Sequence, residues 1–517
     1  MTLAELLQPL TFIQCLNPDV ASVCLDRPVT GISSDSRHLQ AGMIFVALIG
    51  TQTDGHHYVR QAAAAGALAI VVRTDHTSQI SPSEPIPVYA CDDTYKALGA
   101  LSSRFHGDPG HQLHLIGVTG TNGKTTVTHL IEKMLADADK SVGLVGTLGQ
   151  RLHKAGQTAY VTTGLTTPLA GQLHEILAGM VREQAQYVVM EVSSHALEQH
   201  RTYGCDFEVA VFTNLTQDHL DYHKTMENYC KAKCLLFSGL KPTTVFGRSP
   251  AAVINLDDPW ARHFLKACAE TTRLYTYGLN APEATIRAEN VRFSIAGASF
   301  TALTPHGKAD VQLQIAGKFS IYNALAALAA GLALGIPLAQ CVRSLQDIRG
   351  VRGRFEVVAD HPYVIVDYAH TPDGLENILA ATRLVMPPDG RLIVVFGCGG
   401  DRDATKRPKM GAIAQRLADV VVVTSDNPRS EEPQQIITDI LHGMQHVDAQ
   451  RLLVNADRQQ AIQQALDLAR PTDIIVVAGK GHEDYQILKH RTIHFDDREV
   501  VQAYIARRQS DSFDHNK

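Results

Sequence analysis

Short, largely apolar runs punctuate the chain at intervals that leave room for a helix between them. Residues 113–118, 187–190 and 209–213 form one such series. Runs of this kind mark strands covered on both faces, as in a parallel sheet flanked by helices. The pattern restarts near Ile348 with runs at 363–366, 392–396, 420–424 and 474–477, which predicts a second parallel α/β sheet. The N-terminal region reads as a strand over 42–49, an Ala-rich helix over 58–67 and a strand over 68–73, with turns between them. The Gly- and Pro-bearing stretch 105–110 interrupts both helix and strand and reads as a linker. No short-period repeat is visible, and the polar tail after Arg508 is expected to lack order. Three α/β units follow, over 1–108, 109–347 and 348–517, the central sheet mostly parallel and the last one Rossmann-like.

Composition narrows the classes. A chain of 517 residues exceeds what one hydrophobic core supports. Its 45% hydrophobic and 19% charged residues describe a soluble globular protein. A net charge of −6 without a basic run removes the electrostatic case for nucleic acid or an anionic membrane. The start, Met1-Thr2-Leu3-Ala4-Glu5, lacks the basic and apolar parts of a secretory leader. No apolar run reaches bilayer-spanning length, so a cytoplasmic location is expected. The nine cysteines show no framework spacing. Cys230 and Cys234 stand i, i+4 on a predicted helix, half of a soft-metal site that no other cluster completes.

The first chemical signal follows the run 113–118. Thr119-Gly120-Thr121-Asn122-Gly123-Lys124-Thr125-Thr126 leads into a helical pattern beginning at Val127. Glycines let successive backbone N–H groups converge on an anion, and the helix N-terminus adds partial positive charge. Lys124 would reach the β- and γ-phosphates, and the Thr125 hydroxyl would ligate Mg²⁺. Valine at 118 departs from the Walker spacing, leaving the tighter Gly-Thr-x-Gly-Lys-Thr form of P-loop.

Two strand ends add candidate ligands. Glu191 ends one strand, and its carboxylate suits a hard cation beside phosphates. His219 and His223 follow the next strand; alone they read as a polar loop, a zinc pair or part of this centre. On the following helix Tyr229, Ala232, Lys233 and Leu236 share one face, so Lys233 lies in an apolar stripe and Lys231 does not. A lysine there either snorkels or loses its proton, and a neutral amine can take up CO₂ to become a carbamate.

Residues 120–126 resemble the nucleotide loop of the Mur ligase family, which includes the folylpolyglutamate synthases, and the similarity runs from the N-terminal region to Glu483. The resemblance implies an ATP-dependent, acid–amino-acid ligase of peptidoglycan precursor synthesis. It implies ATP on Gly120, Thr121, Asn122, Gly123, Lys124, Thr125 and Thr126, with Asn323 in the stretch 317–327 against adenine. Arg354, Asp367 and His370 are then expected to reach the nucleotide on closure of the third domain. Glu191 and His219 become direct Mg²⁺ ligands with Thr125, and Lys233 the position carried as N6-carboxylysine; Lys124, Glu191, His219 and Lys233 form the catalytic set.

Ser425-Asp426-Asn427-Pro428-Arg429 is by itself an Asx-Pro turn after a strand. By resemblance it matches the motif of family members that add meso-diaminopimelate, where a guanidinium fork grips the second carboxylate that lysine lacks. Arg402 and the run Gly479-Lys480-Gly481-His482-Glu483 match further positions around that amino acid, with Glu483 as acceptor for its amino group. Gly397-Cys398-Gly399-Gly400-Asp401 lacks the spacing of a dinucleotide site. At the other end Ser34, Ser36, Thr51, Gln52 and Thr53 resemble loops that hold uridine diphosphate, making the first unit UDP-binding. Thr166, Thr167, Ser193, Gln199 and Arg201 match positions against the muramoyl peptide. The expected partners are therefore small molecules, UDP-N-acetylmuramoyl-dipeptide, meso-diaminopimelate and ATP, acting on a monomer without nucleic acid or membrane. L-lysine addition, folate polyglutamylation, a P-loop NTPase moving a protein partner and a nucleotide-sensing module remain the alternatives.

Overall fold

The computed structural model describes the chain except residues 51–52, 80–85, 154–159, 243–246, 248, 295–296, 349, 361, 446–447, 449 and 515–517. Among the described residues the N-terminal sheet has five strands, ordered Gln14–Cys15, Val88–Cys91, Ala69–Arg73, Met43–Val46, Gly31–Ser33. Only the two-residue edge strand Gln14–Cys15 runs antiparallel. The strand expected over 42–49 shortens to Met43–Val46, and the helix expected over 58–67 splits into a 3-10 turn, Gly55–Tyr58, and the helix Val59–Ala64.

The central sheet has ten strands. Its middle is parallel, with His114–Thr119 hydrogen-bonded between Phe207–Phe212 and Tyr187–Glu191. Register sets Glu191 opposite Val118 and Phe212 opposite Thr119. The ends of all three strands therefore open at one edge, where the phosphate loop begins. Ile286–Ser294, Gly297–Thr304 and Gly307–Leu313 extend this sheet as an antiparallel meander. That addition escaped a search for apolar runs because one face is open to water: Ile286 and Ala288 are buried while Glu289 is exposed, the alternation of a half-covered strand. The helix Lys318–Ala333 is buried along nearly its whole length and packs on Lys124–Asp137; its Ala and Gly content permits that close approach.

The third sheet is ordered Glu356–Asp360, Tyr363–Asp367, Ile474–Ala478, Leu392–Phe396, Val420–Val423, Leu452–Val454, parallel except for its first strand. The last strand in sequence lies between the first two parallel ones. Asp367, Gly479, Gly397 and Asp426 consequently emerge side by side at the carboxyl edge, where open α/β sheets bind ligands. The tail after Arg508 is expected to lack order, yet its residues 509–514 continue the last helix, Asp497–Asp514, where no Gly or Pro interrupts it; 515–517 lie outside the described residues.

One buried ion pair ties that helix to the sheet. Arg458 and Asp497 are both fully buried and joined by bonds of 2.8 and 2.7 Å. Arg458 also donates to the carbonyls of Ser425 (3.3 Å) and Ala478 (3.1 Å). Asp497→Ala strands this guanidinium without its partner and is expected to destabilise the protein by about 3–5 kcal/mol. The double change Arg458→Met with Asp497→Leu should restore much of that. Urea unfolding of the three forms checks it; an unshifted Asp497→Ala midpoint would rule out the pair as a structural tie.

Candidate active site

The phosphate loop closes tightly because two glycines take backbone angles that other residues avoid, Gly120 at φ +146 and Gly123 at φ +88. A Cβ on Gly120 would lie 1.9 Å from Thr213 Oγ1, and one on Gly123 2.5 Å from Asn323 Oδ1. The neighbouring strand end holds the loop from below. Thr213 Oγ1 and Asn214 Nδ2 donate to the Asn122 carbonyl at 2.6 and 3.0 Å, and Asn214 Oδ1 accepts the Asn122 N–H at 2.9 Å. Thr121 Oγ1 donates to Thr216 O at 3.1 Å. Lys124 folds over the loop and donates to the carbonyls of Gly120 (2.9 Å) and Thr121 (2.8 Å). Burial lowers its pKa.

Glu191 sits at the loop's mouth, 1% exposed. It accepts from Thr125 Oγ1 at 3.0 Å, from the Thr147 N–H at 2.8 Å and from Thr147 Oγ1 at 3.1 Å. A threonine hydroxyl and a carboxylate at the head of an anion cradle form an oxygen donor set that suits a hard divalent cation. Lys233 is likewise 1% exposed. Its Nζ donates to Gly120 O at 2.8 Å and lies 4.6 Å from the centre of the Tyr229 ring. Burial, reinforced by the charge of Lys124, presses its pKa well below the ordinary lysine value. The helical face read from spacing is the one observed: Tyr229, Ala232, Lys233 and Leu236 are buried and Lys231 is exposed. His219 stands in a left-handed conformation, φ +55, edge-on to His195 at 4.9 Å. Burial disfavours the adjacent Asp218 carboxylate, yet the charges of His219, His370 and Lys406 outweigh it and hold its pKa near about 2.

A cleft opens beside the loop, lined by Thr126, Leu130, Phe319, Asn323 and Arg354 among others. Arg354 crosses from the third unit to donate to Thr125 Oγ1 at 3.1 Å, its guanidinium 4.4 Å over the Tyr368 ring. Asp367 accepts the Phe355 N–H at 2.7 Å, and burial raises its pKa. His370 Nδ1 donates to Tyr368 O at 2.8 Å, and burial lowers its pKa to about 4. Sequence reasoning missed Asp373, whose carboxylate accepts from Asn122 Nδ2 at 2.6 Å. The Pro372-Asp373 pair looks like an ordinary helix start, so no local signal marked it.

In the third sheet's edge, Asn427, Lys480 and Glu483 form one network. Asn427 Nδ2 donates to Glu483 Oε2 at 2.8 Å, and Lys480 Nζ donates to the same oxygen at 3.2 Å. Pro428 turns the chain into Arg429, which adopts φ +53 and donates from one guanidinium nitrogen to Gly400 O at 2.8 Å. Gly399 lies between two arginines, its would-be Cβ 2.9 Å from Arg429 and 3.7 Å from Arg402. Burial, then the Arg402 charge, lowers the Arg429 pKa. A Cβ on Gly479 would strike Asp426 Oδ2 at 2.6 Å.

A polar wall runs outward from Glu191. Thr167 Oγ1 donates to Glu191 O at 2.9 Å and accepts the Ser193 N–H at 3.0 Å. Thr166 Oγ1 lies 3.1 Å from Thr147 Oγ1. Arg201 donates to Thr167 O at 2.9 Å and to Gln199 Oε1 at 2.7 Å. Tyr95, on the N-terminal helix Thr94–Phe105, interacts electrostatically with Arg201 and so adjoins this wall; sequence reasoning missed it as well. Ser34 and Ser36 flank Asp35, whose carboxylate caps the turn Ser36–His38 and pairs with Arg37 at 2.7 Å. The Thr53 carbonyl accepts the Gly50 N–H at 2.9 Å. Thr51 and Gln52 lie outside the described residues. Nearby, Asp54, His56 and His76 cluster closely enough to suggest a metal. However, His56 Nε2 accepts the Arg73 N–H at 3.0 Å. The ring proton must then sit on Nδ1, bonded to Asp54 at 2.6 Å, leaving that ring no lone pair for an ion.

Family models match three stretches: the Mur ligase middle domain over 118–331, the Mur ligase glutamate ligase domain over 353–481, and the Mur ligase family catalytic domain over 28–106. The chain is 47% identical over 488 residues to a UDP-N-acetylmuramoyl-L-alanyl-D-glutamate–2,6-diaminopimelate ligase of Gloeobacter violaceus, covering 94% of this chain and 95% of that one. The chain belongs to the Mur ligase family. A Bacillus cereus relative with the same name is 43% identical over 501 residues, covering 96% and 98%. Among solved structures, one of such a diaminopimelate ligase matches this Mur ligase with TM-score 0.66 at 35% identity, over 94% and 96% of the two chains. Folylpolyglutamate synthase from Mycobacterium tuberculosis, solved with ADP and AMPPCP, shares the fold at TM-score 0.62 and 18% identity, over 74% and 92%.

Gly123→Ala in this Mur ligase combines an unfavourable φ with the clash at Asn323. It is expected to cost about 1–3 kcal/mol of local strain and to weaken ATP binding at least about tenfold. Calorimetric titration with ATP decides it; unchanged affinity would mean that the loop does not cradle phosphate.

Proposed function

We propose that this Mur ligase joins meso-2,6-diaminopimelate to the terminal D-glutamate carboxylate of UDP-N-acetylmuramoyl-L-alanyl-D-glutamate at the expense of ATP. The observation that carries the reading is the edge of the third sheet, where Arg429 and Arg402 flank Gly399 and the carboxylates of Asp426 and Glu483 act on Arg429. Cations and carboxylates brought together there match an amino acid bearing an acid and an ammonium at each end. The three units divide the labour as 1–108 for UDP, 109–347 for ATP and 348–517 for the amino acid.

ATP lies along 120–126, with Asn323 at the adenine and Arg354, Asp367 and His370 on its far side. Thr125, Glu191 and His219 would hold Mg²⁺, which would neutralise phosphate charge when bound. Thr166, Thr167, Ser193, Gln199 and Arg201 hold the muramoyl peptide so that its carboxylate oxygen meets the γ-phosphorus. That P–O bond forms as the bridge to the β-phosphate breaks, giving an acyl-phosphate and ADP. The diaminopimelate amine then attacks the acyl carbon, loses a proton, and phosphate leaves. The protein supplies position and charge rather than a covalent nucleophile. Lys233 takes up CO₂ as a carbamate with release of a proton, for which its burial and lowered basicity prepare it. The working form proposed is a monomer. No helix among the described residues is long and apolar enough to cross a membrane. The proposed place of work is the cytoplasm, where ATP and UDP-linked precursors are found.

ADP release in the presence of the UDP-dipeptide should depend on meso-diaminopimelate and be far slower with L-lysine; lysine outperforming it would overturn the specificity. Arg429→Ala should raise KM for diaminopimelate roughly 10–100-fold, the worth of a hydrogen-bonded charge, with a smaller effect on lysine. A second expectation concerns Lys233. Stripping CO₂ from the buffer should lower the rate reversibly, with recovery on adding bicarbonate, whereas Lys233→Arg should be slow and indifferent to bicarbonate.

A further inference from the structure

Lys480 belongs to none of the groups so far given a role, and its placement is unusual for a lysine. It is 0% exposed, although lysines are almost never fully buried unless paired. The chain is shaped to drive it inward. Gly479 and Gly481 flank it at φ +119 and +53, and a Cβ on Gly481 would lie 2.7 Å from both Gly353 O and Tyr368 Cβ. The strand Ile474–Ala478 thus ends in a turn that packs the lysine stem under the pocket, with Nζ 5.5 Å from the Tyr485 ring centre.

Its bonds fix two other side chains. Lys480 Nζ and the Ile487 N–H both donate to Asn427 Oδ1, at 3.2 and 2.9 Å. An amide oxygen held by two donors has only one orientation, so Asn427 Nδ2 must point away from them, and it reaches Glu483 Oε2 at 2.8 Å. Lys480 donates to that same oxygen at 3.2 Å. Glu483 Oε1 is left with a long contact, 3.5 Å from the Tyr368 hydroxyl. We infer that Lys480 is a positioning residue for the amino-acid substrate: with Asn427 it occupies one oxygen of Glu483 and keeps the carboxylate charged, so that the other oxygen receives the substrate's ammonium. This rests on the amino-acid-ligase reading of the pocket.

The charges around Glu483 explain why a cation is needed there. Asp426 faces it from the strand end Val420–Val423, with Tyr368 and Tyr485 also near, and the guanidinium groups of Arg429 and Arg458 lie farther round the pocket. Arg458 is already committed to Asp497. Burial, then Asp426, raises the Glu483 pKa; Lys480 opposes both. Removing the lysine charge therefore favours the protonated acid, which cannot accept from an ammonium. The loss should be greatest at low pH and fade as the carboxyl ionises.

The test compares the full-length protein with Lys480→Met and Lys480→Gln, the second keeping a donor for Asn427 while removing the charge. Steady-state ADP release is measured with meso-diaminopimelate as the varied substrate from pH 6.5 to 9, with thermal unfolding run in parallel. In both variants KM for diaminopimelate should rise about tenfold or more near neutral pH, as for the loss of one charged hydrogen bond. KM for ATP and for the UDP-dipeptide should stay within about twofold, and the ratio of variant to wild-type KM should fall as pH rises. A pH-independent ratio, or equal losses for all three substrates, would make Lys480 a structural residue and overturn the inference while the ligase reading stands. If Lys480→Met fails to fold, the profile of Lys480→Gln decides. Wild-type protein that releases no ADP with diaminopimelate overturns the reading and the inference together.

Discussion

Two buried ammonium groups, those of Lys124 and Lys233, converge on the carbonyl oxygen of Gly120 at 2.9 and 2.8 Å. Burial lowers the basicity of both, and the charge of Lys124 lowers that of Lys233 further. Fold stability alone gives no reason for this, because like charges in a low-dielectric interior repel. A site that receives a polyanion beside one amine and converts the other to an anion removes the conflict on loading. The rest of the central unit is arranged around that point. Parallel register brings Glu191 and Thr213 to either side of the loop, and the small-residue helix Lys318–Ala333 brings Asn323 against Gly123.

The third unit solves a similar problem with its own sheet. Inserting its last parallel strand beside its first places Gly479 next to Asp426, and Gly479 and Gly399 leave room for the side chains of Asp426 and Arg429. Arg458, anchored by Asp497, bonds to Ser425 O and Ala478 O. It thereby holds together the two strand ends that carry the pocket. Stability and recognition share a residue there, so damage to the pair would be felt in both.

Much of this was legible beforehand because the strongest constraints are local. Loop glycines, the lysine after them and the apolar stripe around Lys233 each have a short-range pattern that three-dimensional packing only confirms. Strand runs were readable where both faces are covered and invisible where one face meets water, hence the overlooked meander Ile286–Ser294 to Gly307–Leu313. Asp373 and Tyr95 were missed for a different reason. The partner of Asp373, Asn122, lies 251 residues away, and nothing in the neighbouring residues announces such a bond. Thr51 and Gln52 lie outside the described residues, so that part of the UDP end rests on motif alone.

Those long-range bonds also link the two chemistries. Arg354 reaches Thr125 and Asp373 reaches Asn122, so the third unit touches the phosphate loop at two residues. Arg354 stacks on Tyr368, and Tyr368 in turn contacts Glu483. A continuous path of side chains therefore runs from the phosphate loop to Glu483 at the third sheet's edge. An acyl-phosphate is short-lived in water, and a ligase gains if the amine is in place when that intermediate forms. The contacts of Arg354 and Asp373 with the phosphate loop, and of Tyr368 with Glu483, hold the loop and the third sheet's edge in one arrangement that suits such coupling.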